Sequence, residues 1–571
     1  MKRPRVGVFV CHCGINIAGV VKVSELVERA KKMPGVVVAL DYQYCCSDPG
    51  QNLIRETILK QNLNRVVVAC CSPTLHEKTF RKACAAAGLN PYLCEIANIR
   101  EHCSWVTKDR DQATDKAEGI VAMTVARALW DESLVPVGVP VTRRALVVGA
   151  GIAGIQAALD IANAGYEVVL VERQPRIGGH ISALTRTFPY LERAESVFAP
   201  KLAECASHPH IRLLTSAEVA EVSGNVGDFR VKIQRRAQTE TEQEIEETVG
   251  AIVFATGYEL FDIAKLAPYG AGQVADLVDS LEFERLLAVA MTTGELRRPS
   301  DGGVPKRVVF VQCAGSRDQE HGVPYCSKVC CMYTAKNALA YRELVPDGEA
   351  IVCYIDVRTP GKGFEEFYQR VTDAGVKYYR GKVARVFRNG DKVKVLTADT
   401  LAAAKLELDA DLVVLATAMV ADPYGVELAR KLKVQVGASG FLSEAHPKLR
   451  PVETLAGGFF LAGTCQGPKD VFETVVQASA AAAKVLALFS QDKLYHEPTI
   501  AQVDEAVCVG CGYCEKTCAY SAVKVDERRR IAVVNPALCE GCGACAVACP
   551  SGAMTHRNFS KRSIVEMAEQ V

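Results

Sequence analysis

The cysteines near the C-terminus have the spacing of iron–sulfur ligands. Two runs of four follow the pattern C-x2-C-x2-C-x3-C, and the second run repeats the first 31 residues later. In proteins with two such runs, the fourth cysteine of each run binds the cluster of the other run. A zinc ribbon, the alternative, would need two C-x2-C pairs instead. The pattern predicts two [4Fe–4S] clusters, one held by Cys508, Cys511, Cys514 and Cys549 and the other by Cys539, Cys542, Cys545 and Cys518.

A glycine-rich turn predicts a dinucleotide site. Residues 144–154 form an apolar run that leads into G-x-G-x-x-G, and the next apolar run ends in an acidic residue, Glu172. In such a βαβ unit the first glycine makes the turn, the second admits the pyrophosphate, and the third lets helix and strand approach. The acid binds ribose hydroxyls. We therefore assign the nucleotide to Gly149, Gly151, Gly154 and Glu172.

Further segments favour FAD over NAD at this site. Thr256 and Gly257 follow another apolar run, in a turn that can cross back over the nucleotide. Residues 457–467 are glycine-rich and lead into a helical stretch, 471–488, whose N-terminus can face the flavin. The order of segments resembles the thioredoxin-reductase and glutathione-reductase class of flavoproteins, where the last motif reads Gly-Asp and Thr464 here replaces the Asp. The additional contacts expected with FAD are Arg173, Gly179, Thr256, Gly257, Gly463 and Gln466.

A third group of cysteines lies where this class of flavoprotein inserts its NAD(P)H domain. After a new apolar run, the expected G-x-G-x-x-G reads Cys313-Ala-Gly315-Ser-Arg-Asp318, and a side chain at its first position and an acid at its third should obstruct a pyrophosphate. The alternative is a set of ordinary buried cysteines. The spacing favours a [4Fe–4S] cluster near the flavin, held by Cys313, Cys326, Cys330 and Cys331.

Composition excludes several classes of function. The 571 residues include 67 basic and 66 acidic side chains, so no net charge draws the chain to nucleic acid or to an anionic membrane. The apolar run at the N-terminus is too short for a signal peptide, and Lys484 interrupts the longest apolar stretch. We expect a soluble cytoplasmic protein. In that reducing compartment, 24 cysteines indicate metal or redox chemistry rather than disulfides.

The N-terminal 140 residues read as alternating strands and helices, and cysteines follow three of the strands. Strands are expected at 5–10, 36–40 and 65–69, with helices at 20–32 and 53–60. Sites in open α/β sheets lie beyond the carboxyl ends of the strands. Cysteines at 11, 13, 45, 46, 70 and 71 can therefore meet and hold a cluster, with Cys103 a further candidate.

Several segments resemble the HdrA family, which comprises the flavin-containing A subunits of heterodisulfide reductases. They include Gly-Val-Phe-Val-Cys-His-Cys at 7–13, Cys-Ser-Asp-Pro-Gly-Gln at 46–51, the set from Cys313 to Cys331, and Cys-Gln-Gly-Pro-Lys-Asp at 465–470. The resemblance implies a cluster at Cys313–Cys331 near FAD and a catalytic lysine, Lys336, that approaches the flavin. It also implies one N-terminal cluster with ligands among Cys11, Cys13, Cys46, Cys71 and Cys103. Many relatives insert a further ferredoxin module, whereas the stretch 231–247 here is short, polar and free of cysteine.

These observations predict an α/β protein with a thioredoxin-reductase-like core that contains two dinucleotide-binding domains. The expected domains are an N-terminal α/β domain at 1–140, an FAD domain at 141–304 and 421–495, an NAD(P)H-domain-like insertion at 305–420, and a two-cluster ferredoxin domain at 496–571.

The hypothesis is a flavin and iron–sulfur protein that transfers electrons within a larger complex, with electron bifurcation implied by the resemblance. Expected partners are disulfide-reducing subunits, a hydrogenase or dehydrogenase donor and ferredoxin, with a dimer inside the complex. Two rivals are a self-sufficient NAD(P)H-dependent reductase of ferredoxin or a disulfide, and a scaffold that carries clusters without catalysis.

Overall fold

The computed structural model describes residues 3–236, 242–270 and 272–570. The chain divides into two compact units, one formed by the residues up to Val139 together with those from Tyr495 onward, and the other by Pro140–Leu494. Part of the polar stretch at 231–247 lies outside the described residues.

The N-terminal domain is a parallel sheet covered by helices on both faces. Its strands pair in the order β2-β1-β3-β4, and the buried valines of β1 and β3 form its centre. Each strand extends one or two residues beyond its predicted end, which brings Cys11 and Cys70 into the sheet. The elements are β1 (Val6–Cys11), α1 (Ile15–Ala18), α2 (Val23–Ala30), β2 (Val36–Tyr42), α3 (Asp48–Lys60), β3 (Arg65–Cys70), α4 (Pro73–Ala86), β4 (Cys94–Asn98), a π-helical turn (Arg100–Ser104), α5 (Arg110–Ala128) and β5 (Val137–Pro140).

The second unit begins with a five-stranded parallel sheet in the order β23-β12-β6-β7-β8, flanked by a three-stranded antiparallel sheet. Helix α6 is buried against this sheet because its small residues allow close approach. The elements are β6 (Arg144–Val148), α6 (Ile152–Asn163), β7 (Glu167–Glu172), α7 (Ala194–Ser207), β8 (Ile211–Thr215), β9 (Ala217–Asn225), β10 (Asp228–Arg236), β11 (Glu242–Val249), β12 (Ala251–Phe254) and β13 (Tyr258–Leu260).

A second five-stranded parallel sheet follows, in the order β14-β21-β15-β16-β17. Strand β14 and helix α8 belong to it although they precede residue 305, the predicted boundary. Strand β14 has only three residues, too few for a clear sequence pattern. The elements are β14 (Leu277–Asp279), α8 (Ser280–Thr293), β15 (Arg307–Ala314), α9 (Cys330–Leu344), β16 (Glu349–Tyr354), α10 (Phe364–Asp373), β17 (Lys377–Arg380), β18 (Arg385–Asn389), β19 (Lys392–Asp399), β20 (Ala404–Ala410), β21 (Leu412–Thr417) and β22 (Met419–Ala421).

The chain then returns to the first sheet through α11 (Pro423–Lys431), β23 (Phe459–Leu461), α12 (Val471–Phe489) and β24 (Lys493–His496). Strand β23 adds to β12, and α12 packs against α6 through alanines such as Ala478 and Ala482. Two parallel sheets, each with a strand–turn–helix at its centre, confirm the predicted flavoprotein core. Among the described residues, α12 alone is long and apolar enough to span a membrane, by length and composition.

The C-terminal domain consists of short elements around two cysteine loops. They are β25 (Ala501–Val503), α13 (Tyr513–Thr517), β26 (Val523–Asp526), β27 (Ile531–Val534), α14 (Ala544–Ala548), β28 (Met554–His556) and α15 (Lys561–Ala568). It shares a compact unit with the N-terminal domain. Helix α15 packs on α5, where Arg562 stacks on the Trp130 ring at 3.8 Å and Arg127 stacks on Phe559 at 4.2 Å.

Candidate functional site

The second unit contains a cavity of about 1030 Å³ beside the glycine-rich turn. Its wall includes the turn itself, the end of β7, the loop after β12, the start of α12, and one face of α9. A cavity at the upper end of the range for ligand sites is the size that an FAD molecule requires.

The glycine-rich turn has the shape of a pyrophosphate cradle. Gly149 has a left-handed φ of +102°, and a Cβ there would overlap the carbonyl oxygen of Ala255. A Cβ on Gly154 would overlap the carbonyl oxygen of Gly149. At Gly151 a Cβ would meet no atom within 4 Å, so this position opens onto empty space at the N-terminus of α6. The residues present therefore fit a dinucleotide.

Glu172 fastens the turn to the end of β7. One carboxylate oxygen accepts a hydrogen bond from the Ala150 amide at 2.7 Å, and the other accepts one from the Gln174 amide at 2.8 Å. The next residue, Arg173, forms an ion pair with buried Asp422 at 2.6 Å, and both side chains line the cavity. Glu172 therefore lines the nucleotide site and also holds the glycine-rich turn in place.

The remaining predicted flavin residues divide into two groups. Gly179, Thr256 and Gly257 line the cavity. Gly463 and Gln466 do not belong to the cavity wall as the structure describes it. The Gly463 amide donates to the Gln477 side chain at 2.8 Å, and Gln466 donates to Glu444 at 2.7 Å. In their place Thr464 and Asp470 line the cavity, Asp470 as the N-cap of α12 in a capping box with Glu473.

Lys336 lies in the cavity wall on α9 and is almost fully buried. Its ammonium group forms an ion pair with Glu284 and donates to the Arg186 carbonyl at 3.2 Å. The second oxygen of Glu284 accepts from the Thr185 amide and hydroxyl at 3.0 and 2.8 Å. Burial lowers the pKa of Lys336, and Glu284 opposes this shift. Sequence patterns did not identify Glu284, which belongs to a different helix.

The four cysteines of the middle group converge at the start of α9. Cys313 has a left-handed φ of +57°, in the place where the flavin domain has Gly149. The Cys330 thiol lies against Cys331, which raises the pKa of Cys330, and charge on Cys313 and Cys326 raises it further. Lys328, between two of these cysteines, forms an ion pair with Glu473 at the start of α12.

The connection between β15 and α9 differs from the glycine-rich turn of the flavin domain. In the flavin domain three residues join β6 to α6, whereas residues 315–329 intervene between β15 and α9. A Cβ on Gly315 would lie 2.9 Å from the Phe261 ring, so the position that a pyrophosphate would approach is filled by an aromatic side chain. This turn therefore lacks the open position that Gly151 gives the turn of the flavin domain.

The C-terminal cysteines lie in two groups of four. Burial raises the pKa of Cys514, and charge on Cys511 and Cys549 raises it further. Burial likewise raises the pKa of Cys545 to about 11, with further contributions from Cys539, Cys542 and Cys518. A small cavity is lined by Cys508, Cys511, Cys514 and Cys549. Each group therefore includes the fourth cysteine of the opposite run.

Four of the five N-terminal candidates lie together at the carboxyl end of the sheet. Burial raises the pKa of Cys46, and charge on Cys11, Cys71 and Cys13 raises it further. Cys103 lies elsewhere: its thiol donates to the Ala113 carbonyl at 3.0 Å, and its pKa responds to burial and Lys116 rather than to another cysteine. The structure brings together Cys11, Cys13, Cys46 and Cys71 and leaves Cys103 in the core beside α5.

The middle and C-terminal regions offer thiolates in sets of four, and at the N-terminal site Cys45 and Cys70 lie beside the four candidates. Within the described residues, no three Cys, His, Asp or Glu side chains are arranged to hold one metal ion. In a cubane cluster each thiolate binds a different iron, so its ligands are spaced more widely than those of a single ion. The donor sets thus fit [4Fe–4S] clusters.

Comparison with known proteins agrees with this geometry. Residues 145–262 match the family model described as FAD dependent oxidoreductase, and residues 507–553 match the 4Fe-4S dicluster domain. Solved structures of thioredoxin reductases from T. acidophilum and Lactococcus lactis are 16% and 12% identical, each with a TM-score of 0.42 over 61% of this chain and 99% of theirs.

Characterised relatives match almost the whole chain. An iron-sulfur A subunit of the CoB–CoM heterodisulfide reductase of Methanopyrus kandleri is 42% identical, over 92% of each chain. The A subunit of the H2:CoB-CoM heterodisulfide,ferredoxin reductase of Methanothermobacter marburgensis is also 42% identical, over 92% of this chain and 91% of its own. The alignment with the Methanopyrus protein covers 603 positions, more than the 571 residues here, so that relative contains residues without a counterpart in this chain. The chain belongs to the HdrA family of heterodisulfide reductase subunits, and it is an oxidoreductase with a flavin domain and an iron–sulfur domain.

Proposed function

We propose that this protein transfers electrons within a cytoplasmic heterodisulfide-reductase-type complex and that it carries one FAD and four [4Fe–4S] clusters. When bound, a flavin accepts two electrons together or singly, whereas each cluster passes one electron at a time. The fold and the relatives support the coarse assignment. The number of clusters, their ligands and the route of the electrons are the proposal.

The observation that carries this proposal is the double role of helix α9. Its first two residues, Cys330 and Cys331, belong to the middle cysteine group. Tyr333 and Lys336, within the next two turns of the same helix, line the flavin cavity. A rigid helix therefore holds a flavin and a cluster close together, as one-electron transfer between them requires. The Lys328–Glu473 ion pair joins the cluster loop to the helix that caps the cavity.

The remaining cysteine groups provide further redox sites, each of which carries one electron at a time. We assign Cys11, Cys13, Cys46 and Cys71 to an N-terminal cluster and the crossed C-terminal groups to two more. The name of the Methanothermobacter relative includes one donor, H2, and two acceptors, the heterodisulfide and ferredoxin. By analogy, we propose that electron pairs from a hydrogenase or dehydrogenase partner are divided at the flavin between disulfide-reducing subunits and ferredoxin. We also propose a dimer within the complex.

Anaerobic purification of the full chain tests this assignment. We expect one FAD per chain and about sixteen iron atoms, as four cubane clusters require. NADH and NADPH should leave the flavin absorbance unchanged in the isolated protein, because Cys313 and Phe261 occupy the nicotinamide turn. Rapid bleaching by either nucleotide would instead establish a self-sufficient NAD(P)H oxidoreductase. An iron content near eight would refute the clusters assigned outside the C-terminal domain.

A further inference from the structure

Arg100 makes an unusual contact with one of the N-terminal cysteines. Its Nη1 atom donates to the Cys13 sulfur at 3.2 Å. The sulfurs of Cys508, Cys518, Cys539 and Cys326 instead accept from backbone amides. Within the part of the chain that the structure describes, Arg100 is the one cationic side chain that donates to a cysteine sulfur. Charge-assisted bonds of this kind are roughly twice as strong as neutral ones.

The local fold holds this guanidinium in place. Arg100 begins the π-helical turn Arg100–Ser104, and such turns occur frequently at functional sites. The Trp105 ring lies 4.6 Å from the guanidinium carbon, and the Trp105 nitrogen donates to Asn16 at 3.4 Å. The Glu101 amide donates to Asn98 at the end of β4. These contacts restrict the conformation of the Arg100 side chain and of the turn that carries it.

Glu101 partly neutralises the positive charge of Arg100. Its carboxylate accepts from Arg100 Nη2 at 2.7 Å and from Nε at 3.2 Å. This pairing raises the pKa of Arg100, so the guanidinium stays charged. The two residues carry opposite charges beside the same thiols, so they act in opposite directions on any negative charge held there.

We propose that Arg100 is a positioning residue that raises the reduction potential of the N-terminal cluster, with Glu101 limiting the increase. The inference rests on the cluster assigned above to Cys11, Cys13, Cys46 and Cys71. When a cluster gains an electron it gains one negative charge, and a donor cation at a ligand sulfur stabilises the reduced form. With Arg100 in place, the N-terminal cluster is then a better electron acceptor than it would be without this cation.

The test is a redox titration followed by electron paramagnetic resonance on the full chain. The signal of the N-terminal cluster is defined as the component that the Cys71→Ala variant loses, together with about four iron atoms. Arg100→Leu should shift the midpoint of that signal to lower potential, Arg100→Lys should shift it less, and Glu101→Gln should shift it to higher potential. Opposite shifts from adjacent residues would not follow from a purely structural role.

A matched control removes a cation from the same domain. Lys116 is exposed on α5, near Cys103 rather than near Cys13, so Lys116→Gln should leave the midpoint unchanged. If the Arg100→Leu variant assembles no N-terminal cluster, the Glu101→Gln variant alone tests the proposal, because it retains the arginine. An unshifted midpoint in Glu101→Gln with a full iron content would overturn the role of Arg100. A Cys71→Ala protein with unchanged iron would instead refute the cluster assignment itself.

Discussion

Lys336 and Glu284 form an ion pair in which both side chains are at most 3% exposed, in the wall of the flavin cavity. They are 52 residues apart in sequence and lie on different helices, α9 and α8. Removing one member of a buried pair leaves an uncompensated charge, whereas removing both is often tolerated. The pair therefore keeps a cation at the cavity without exposing it to water.

Lys336→Met should lower the FAD reduction potential, because the variant loses a cation that stabilises negative charge on a reduced flavin. The single variant should also lose about 3–5 kcal/mol of stability, since Glu284 remains buried and unpaired. Spectroelectrochemical titration and thermal unfolding measure the two effects. The double variant Lys336→Met/Glu284→Gln should recover most of the stability and part of the potential, because it also removes the negative charge that the single variant leaves beside the cavity. If both variants had the wild-type FAD reduction potential, Lys336 would have no part in setting it.

Two glycines of the same turn should respond to alanine in different ways. At Gly151 the added methyl group enters the space assigned to the pyrophosphate, so Gly151→Ala should fold normally without FAD. Overpacking costs about 1–3 kcal/mol, which corresponds to roughly a fivefold to 150-fold increase in the Kd for FAD. At Gly154 the methyl group meets the Gly149 backbone, so Gly154→Ala should unfold at lower temperature even as the apoprotein. Equal FAD affinity in Gly151→Ala and wild type would contradict the cradle.

The features that could be predicted from the sequence lie in short local motifs. The C-terminal ligand groups and the glycine turn are encoded in short segments, where spacing alone determines which residues meet. The strand–turn–helix unit around Gly149 was predictable for the same reason. The middle cysteines extend over 19 positions, and their convergence depends on the loop 315–329 as well as on spacing.

Contacts between distant elements could not be read from patterns. The resemblance included Cys103 among the candidate ligands, yet the π-helical turn directs its thiol toward the Ala113 carbonyl of α5. Gln466 follows a glycine-rich motif, yet it hydrogen bonds to Glu444 instead of facing the cavity. Glu284 had no motif of its own, and no role was predicted for Arg100. Their importance follows from tertiary neighbours, Lys336 and Cys13.

The N-terminal cysteines can be separated by single substitutions. Cys71→Ala should lose about four iron atoms per chain, because Cys71 lies with Cys11, Cys13 and Cys46. Cys103→Ala should retain the wild-type iron content, since that thiol only donates to a carbonyl inside the core. Iron and acid-labile sulfide analysis of the two anaerobically purified variants tests both expectations. Loss of iron in Cys103→Ala and not in Cys71→Ala would reverse the assignment.

The stability of the first unit should fall as pH rises, because of Asp131. This carboxylate is 1% exposed, and burial raises its pKa from 3.8 to about 8, with Glu95 raising it further and Arg127 and Arg65 opposing the shift. Because the folded-state pKa is the higher one, the stabilising contribution is complete below pH 4 and is lost as pH rises through about 8. Asp131→Asn should flatten this slope between pH 6 and pH 8 in anaerobic thermal unfolding. Asp115→Asn, which changes an exposed carboxylate of the same domain, should keep the wild-type slope. An unchanged slope in Asp131→Asn would show that a different group controls the pH dependence.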